Sequence, residues 1–333
     1  MDLDERIISL TKLGSLLRND FVNIYRDKIN EIYIVNPWFT AENVECAINY
    51  WGNQLNLKSL KFWLKNYKFS NNILKNVLVI SAGNIPLVSF HDILCILFTG
   101  HKLFLKLSSK DNVLLPLILN ELFKINSEFE NQVFLVNKIQ SEKYDAVLAT
   151  GNDSTAKYFD YYFKNKKKII RKTRSSVAII QGNESDVDLD LLADDVFKYF
   201  GLGCRSISQI LVPINYDLNK LFKAFYKYRY LINHQKYMNN YEYYKTILLM
   251  DSQRFFDNGF LLIKNSNQLH SPVSLLNYFE YSDIKEVNSF LKINNDQIQC
   301  IISKRDSSFG NAQKPKINSY ADNVDVIDFL TNL

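Results

Sequence analysis

The sequence predicts two α/β domains with mostly parallel sheets, preceded by a helical amino-terminal segment. Three observations predict it. From Asn76 onward, short apolar runs alternate with apolar stripes at helical spacing, the sequence form of strands joined by helices. Tight polar or glycine-containing loops follow several of those runs, at 81–86, 106–112 and 150–153. Before Asn76 the chain reads mainly as helical stripes. The expected divisions are a helical segment over 1–75 packing on the domain that follows, a first α/β domain over 76–180, a second over 181–303, and a tail over 304–333.

The elements follow in order. Ile7, Ile8, Leu10, Leu13 and Leu16 form the first stripe, and others run over 41–53 and 57–67 with Trp38, Trp51 and Trp63 as packing anchors. A strand is predicted over 77–81, a helix over 87–98, a strand over 102–107 and a polar turn at 108–112. The next helix carries Leu114, Leu117, Ile118 and Leu122 on one face; Pro116 fits only if it starts near Asn112, where the first amides lack helical partners. Strands over 132–136 and 145–149 come next, and Asp153 can cap a helix running to Phe163. Residues 164–174 hold seven basic side chains in eleven, readable as a solvated loop and edge strand or as a contact for an anionic ligand. After a strand over 176–181, the acidic stretch 182–190 favours the amino end of the following helix. A strand over 206–213, aromatic-rich helices over 218–231 and 236–249, strands over 259–264, 273–281 and 297–303, and a helical stretch over 323–333 complete the chain.

The chain of 333 residues is 47 % hydrophobic, which is globular composition with room for two cores. A net charge of +5 is a mild excess and does not form the concentrated basic face of a nucleic-acid binder. Four widely separated cysteines without a C-x-x-C pair indicate neither a metal site nor a disulfide framework, and a reduced cytoplasmic setting is expected. The acidic start is unlike a signal peptide. The most membrane-like segment, 85–107, is interrupted by His91, Asp92, His101 and Lys102, so no span is expected.

The stretch F-G-L-G-C-R-S-I-S at 200–208 places Cys204 on a glycine-made bend between a helix and a strand. Leu189, Leu192, Val196, Phe197 and Phe200 share one helical face, and Gly201 and Gly203 stop the helix. A packed core cysteine and an exposed nucleophile are both consistent with this pattern. Two glycines that let a ligand approach the backbone, with Arg205 beside the thiol, bring the two readings level. In an open parallel sheet, ligands bind at the carboxyl ends of strands and helix amino termini there attract phosphate. Neither G-x-G-x-x-G nor a Walker sequence is present, but the loops at 81–86, 106–112 and 150–153 could together hold a nucleotide.

Five of these pieces stand in the order found in the aldehyde dehydrogenase superfamily. G-N-I-P-L at 83–87 resembles its N-x-P loop, L-F-L-K-L-S-S at 103–109 its strand ending in lysine, and A-T-G-N at 149–152 its T-G-S turn. F-G-L-G-C-R-S at 200–206 resembles its nucleophile loop and L-H-S-P-V at 269–273 its later G-P-V segment. The wider phrasing resembles the acyl-CoA reductase branch, the fatty-acid reductase type of bacterial luminescence. The resemblance covers roughly residues 76–333. It implies an aldehyde dehydrogenase-like fold, with 76–180 as the dinucleotide-binding domain and 181–303 as the catalytic domain.

Carried over by position, the resemblance implies that Cys204 accepts the acyl group and that Asn84, with the Cys204 backbone amide, holds the oxyanion. Lys106 would contact the adenosine ribose, and Thr150, Gly151 and Asn152 would approach the dinucleotide. Where NAD-using relatives keep an acidic residue, this chain has Ser109, which removes repulsion against a 2′-phosphate and favours NADPH. Gln268 stands at the glutamate that grips the nicotinamide ribose, with His270 in the place of an aromatic residue. The glutamate that activates hydrolytic water in the oxidising enzymes has no counterpart in 170–174. These features imply NADPH-dependent reduction of an acyl-CoA or other acyl thioester to an aldehyde. Reduction of an acyl phosphate and a non-catalytic dinucleotide- or acyl-binding scaffold are the alternatives. The tail resembles superfamily segments that contribute to dimer contacts, so a homodimer is a further expectation.

Overall fold

The computed structural model describes residues 1–69, 73–306 and 308–333. Two compact units are formed, one from Met1–Lys172 with Lys316–Leu333 and one from Thr173–Pro315.

The first unit begins with helices α1 (Leu3–Asn19), α2 (Phe21–Ile24), α3 (Arg26–Val35), α4 (Ala41–Gln54) and α5 (Leu57–Leu64). Helix α1 starts where Asp2 and Glu5 close a reciprocal capping box, which satisfies amides that the first turn leaves open. Its buried face runs through Ile7, Leu10, Leu13 and Leu17, whereas Ile8 is half exposed, so the stripe read from the sequence is rotated by about one position. The helical reading of 1–75 also runs over residues 70–72, which lie outside the described residues, as residue 307 of the tail does.

A five-stranded parallel sheet follows: β1 (Asn76–Ile80), α6 (Phe90–Thr99), β2 (Lys102–Lys106), α7 (Leu114–Ile125), β3 (Val133–Leu135), β4 (Ala146–Thr150), α8 (Asp153–Tyr162) and β5 (Lys167–Arg171). The strand order is β3-β2-β1-β4-β5. Strand β1 is buried over Val77–Ile80, as a central strand covered on both faces must be. Pro116 sits in the first turn of α7, where its missing N–H costs no helical bond. Asn152 rather than Asp153 caps α8: its side chain accepts from the Thr155 amide at 2.8 Å, and Asp153 is the first helical residue.

The second unit contains β6 (Ser175–Ile179), α9 (Asp186–Phe197), β7 (Ile207–Pro213), α10 (Asn219–Phe225), α11 (Gln235–Met250), β8 (Phe256–Asp257), β9 (Leu262–Asn265), β10 (Leu275–Tyr281), α12 (Ile284–Ile293) and β11 (Ile298–Ile302). Its sheet order is β11-β6-β7-β10-β9-β8, parallel except for the antiparallel β8. Strand β6, which the sequence placed at the end of the first domain, pairs with β7 and β11, so this unit starts at Thr173. Finally, α13 (Val326–Thr331) returns to the first unit, where Val326, Ile327 and Leu330 are fully buried.

Candidate active site

In the second unit, Cys204 stands at the amino-terminal end of the sheet. Helix α9 is capped by a Ser185–Asp188 box and buries Leu189, Leu192, Val196 and Phe197, the face expected from spacing. It ends at Phe197, four residues before the first glycine credited with stopping it. Tyr199 and Phe200 then take left-handed backbone (φ 54° and 58°), a conformation bulky residues rarely adopt. Burial of both rings, with Phe200 centred 4.3 Å from the His234 ring, offsets that strain. The Leu202 amide closes one turn on the Tyr199 carbonyl at 3.0 Å, and the Ser206 amide closes a second on the Gly203 carbonyl at 2.9 Å. Cys204 is exposed on that second turn, three residues before β7.

The other three cysteines are covered. Cys95 is buried, and burial pushes its thiol pKa well up; Cys300 is half-buried, and burial raises it too. Cys46 is also less exposed than Cys204. Ser176 on β6 joins two of these residues: its hydroxyl donates to the Cys204 carbonyl at 2.9 Å and accepts from the Cys300 amide at 3.2 Å. With its backbone carbonyl held this way, the Cys204 turn presents the thiol outward.

Gln268 and His270 lie exposed on the segment between β9 and β10. Buried Asn277 donates to both of their carbonyls, at 2.9 and 3.1 Å, and Ser208, one residue into β7, donates to the Leu269 carbonyl at 2.7 Å. The His270 ring nitrogen Nδ1 lies 3.5 Å from Ser175 Oγ at the start of β6. The strand starts thus gather Cys204 and His270 at one end of this sheet.

In the first unit, the predicted residues share the carboxyl edge of the other sheet. Lys106 is the last residue of β2 and Thr150 the last of β4, while Asn84 lies in the loop after β1. Asn84, Ser109 and Asn152 are exposed; Lys106, Thr150 and Gly151 are half-buried. A β-carbon at Gly83 would come within 2.5 Å of Ser108 Oγ, so only glycine lets the 83–87 loop lie against the 108–112 turn. Asn36, buried after α3, donates towards the carbonyls of both loops, to Lys110 at 3.2 Å and Gly83 at 3.4 Å. The helical segment therefore braces the edge, a role that no motif in 1–75 signalled. Asp111 is buried in the same turn, and burial pushes its pKa up to about 6.

The basic run resolves largely into structure. Arg171 is buried and grips Asp92 of α6 through two nitrogens; burial opposes its charge, and the carboxylate more than offsets that, so its pKa is raised. Its carbonyl accepts from the Gly151 amide at 3.2 Å, which fixes the 150–152 turn. Lys168 bonds the Asp160 carbonyl at 2.7 Å and Lys167 the Asn332 carbonyl at 2.6 Å. Among the described residues, no group of three or more His, Cys, Asp or Glu could hold a metal ion, and no helix is long and apolar enough to cross a membrane.

A family model described as acyl-CoA reductase (LuxC) matches residues 56–282, more than half of the chain. No curated protein matches. Among solved structures, aldehyde dehydrogenase 21 from Physcomitrella patens, in complex with succinate, superposes with a TM-score of 0.66 at 14% identity over 91% of this chain and 74% of its own. The glyceraldehyde-3-phosphate dehydrogenase GapN from Methanocaldococcus jannaschii, complexed with NADP, gives 0.66 at 12% identity over 92% and 82%. The aldehyde dehydrogenase KauB from Pseudomonas aeruginosa gives 0.67 at 14% identity over 91% and 72%. At such identities the likeness establishes the fold, which is aldehyde dehydrogenase-like, as the sequence predicts.

Proposed function

The chain belongs to the acyl-CoA reductase (LuxC) family, and on that premise we propose that it reduces an acyl-CoA thioester to the aldehyde with NADPH, through an acyl-enzyme on Cys204. The observation that carries this reading is the position of Cys204: it is the exposed cysteine of the four, set on a tight turn whose carbonyl is fixed by Ser176.

The Cys204 thiolate attacks the thioester carbonyl, forming the new C–S bond. The amide of Asn84 and the Cys204 backbone N–H donate to the oxygen that becomes negative, a contribution typically worth about 10²–10³ in rate. Collapse expels the CoA thiolate, which takes up a proton, and leaves the acyl group on Cys204. A thiol of ordinary pKa is only a few per cent ionised at neutral pH, so the thiolate fraction sets the rate of this step.

The chemistry of the donors at the carboxyl edge of the first sheet fits a phosphorylated dinucleotide. Lys106 and the hydroxyls of Ser109 and Thr150 would face its adenosine ribose and phosphates, with the amino end of α8 beyond Gly151. Ser109 in place of a carboxylate supports a 2′-phosphate there, hence NADPH. When bound, the cofactor supplies a hydride to the acyl carbon. Asn84 then holds the oxygen of the resulting thiohemiacetal until its C–S bond breaks, which frees the aldehyde and the Cys204 thiolate. No carboxylate occurs in 170–174 to activate water, which supports reduction over hydrolysis of the acyl-enzyme.

Brief exposure to an acyl-CoA should attach a hydroxylamine-labile acyl group that is absent in Cys204→Ala, and NADPH absorbance should fall with acyl-CoA but not with acyl phosphates. Persistence of the adduct in Cys204→Ala removes the assignment. Turnover confined to acyl phosphates moves it to the other substrate class.

A further inference from the structure

We infer that Asp195 and Gln313 are positioning residues for Cys204, tying both ends of the nucleophile-bearing loop to one short segment of chain, residues 310–313. The inference rests on Cys204 being the reactive thiol.

The loop between α9 and β7 needs an external hold. Residues 198–206 contain two left-handed aromatic residues and two tight turns, with an exposed cysteine on the second. Nothing periodic in that backbone fixes where the thiol points. At the far end of the loop, Gln313 Nε2 donates to Ser206 Oγ at 3.0 Å, two residues after Cys204.

Gln313 lies on a segment without helix or strand and would not hold a fixed place unaided. Asp195 anchors it. Its Oδ2 accepts from the Gly310 amide at 2.6 Å and its Oδ1 from the Ala312 amide at 2.9 Å. The residue is only 1 % exposed, and a carboxylate is costly to bury without compensating donors, so these two amides offset part of that cost. Gly310 has φ 82°, and a β-carbon there would approach Leu191 of α9 to 2.9 Å, so segment and helix are in close contact. Phe309 and Ala312 bury their side chains on either side.

Asp195 lies in the last turn of α9 and Ser206 immediately precedes β7. The two ends of the loop therefore meet on the same few residues, and the brace closes around the loop that carries Cys204. A displacement of about 1 Å at a reacting atom can cost on the order of 100-fold in rate. Loosening one end of the brace should slow chemistry at Cys204 without weakening substrate binding.

The test uses Gln313, because substitution of the buried Asp195 risks the fold. Gln313→Leu in the full chain should acylate about ten- to a hundred-fold more slowly in single-turnover experiments with acyl-CoA, with the concentration for half-maximal rate unchanged. Gln313→Glu, whose carboxylate can accept from the Ser206 hydroxyl, should recover most of the rate. Ser206→Ala should match Gln313→Leu, and the double variant should be no slower than either single one. Wild-type acylation rates in a folded Gln313→Leu, or additive losses in the double variant, overturn the inference. Alkylation of Cys204 by iodoacetamide, followed against pH, is independent of substrate identity. If the wild type is not acylated by acyl-CoA, the functional reading fails, while an altered alkylation profile in Gln313→Leu still upholds the brace and an unaltered one overturns it.

Discussion

Asp195 shows how one buried carboxylate links the brace to proton concentration. Burial pushes its pKa up to about 6 from 3.8, outweighing the amides of Gly310 and Ala312, with Asp194 raising it further and Lys198 opposing. A carboxyl whose folded pKa is raised favours folding most when protonated, so its contribution is complete below about pH 4 and is lost as pH rises through 6. Relative to Asp195→Asn, the wild type should therefore lose on the order of 3 kcal/mol of stability between pH 4 and pH 7. Urea unfolding of both proteins across that range measures it. A difference that grows in the wild type's favour as pH rises would mean that the amides, not burial, dominate.

Among the elements, β5 and α6 are held by the Asp92–Arg171 pair, which is buried on both sides. Asp92→Ala strands a buried guanidinium and should cost about 3–5 kcal/mol, whereas Asp92→Leu combined with Arg171→Met should recover most of that loss. Denaturant midpoints of the three proteins decide the matter. This element also shows what the sequence conceals. Seven basic residues in eleven read as one solvated run or one ligand contact, because charge along the chain does not say which side chain turns inward. The alternation of β1, β2 and β4 with α6, α7 and α8 was legible because their burial follows simple periods. The end of α9 was not, since Tyr199 and Phe200 break the helix through tertiary burial of their rings instead of through glycine. Helix α12 could have been found: Asp283 caps it by accepting from the Lys285 and Glu286 amides, with Val287 and Phe290 buried at helical spacing.

For the molecule as a whole, local patterns located the candidate residues by the ends of elements: Thr150 is the last residue of β4, Asn84 lies in the loop after β1 and Cys204 on the turn before β7. The positioning contacts were invisible for the opposite reason. Asn36, Ser176 and Gln313 act on loops between 28 and 107 residues away along the chain, and no window of sequence contains both partners. The same holds for the tail, whose place in the first unit depends on contacts with α4, α5 and β5. The Ile317 amide donates to Gln54 at 3.1 Å, Trp63 and Tyr67 reach the Tyr320 hydroxyl at 2.9 and 2.8 Å, and Lys167 reaches Asn332 at 2.6 Å. That return has a consequence for the order in which the molecule can be completed. During synthesis every residue of the second unit leaves the ribosome before the last piece of the first, so the unit begun earlier is finished later. A chain stopped after Pro315 should keep a protease-resistant fragment spanning 173–315, while 1–172 is cut faster than in the whole protein. Equal resistance of 1–172 in both chains would show that the tail is dispensable for closing the unit it joins.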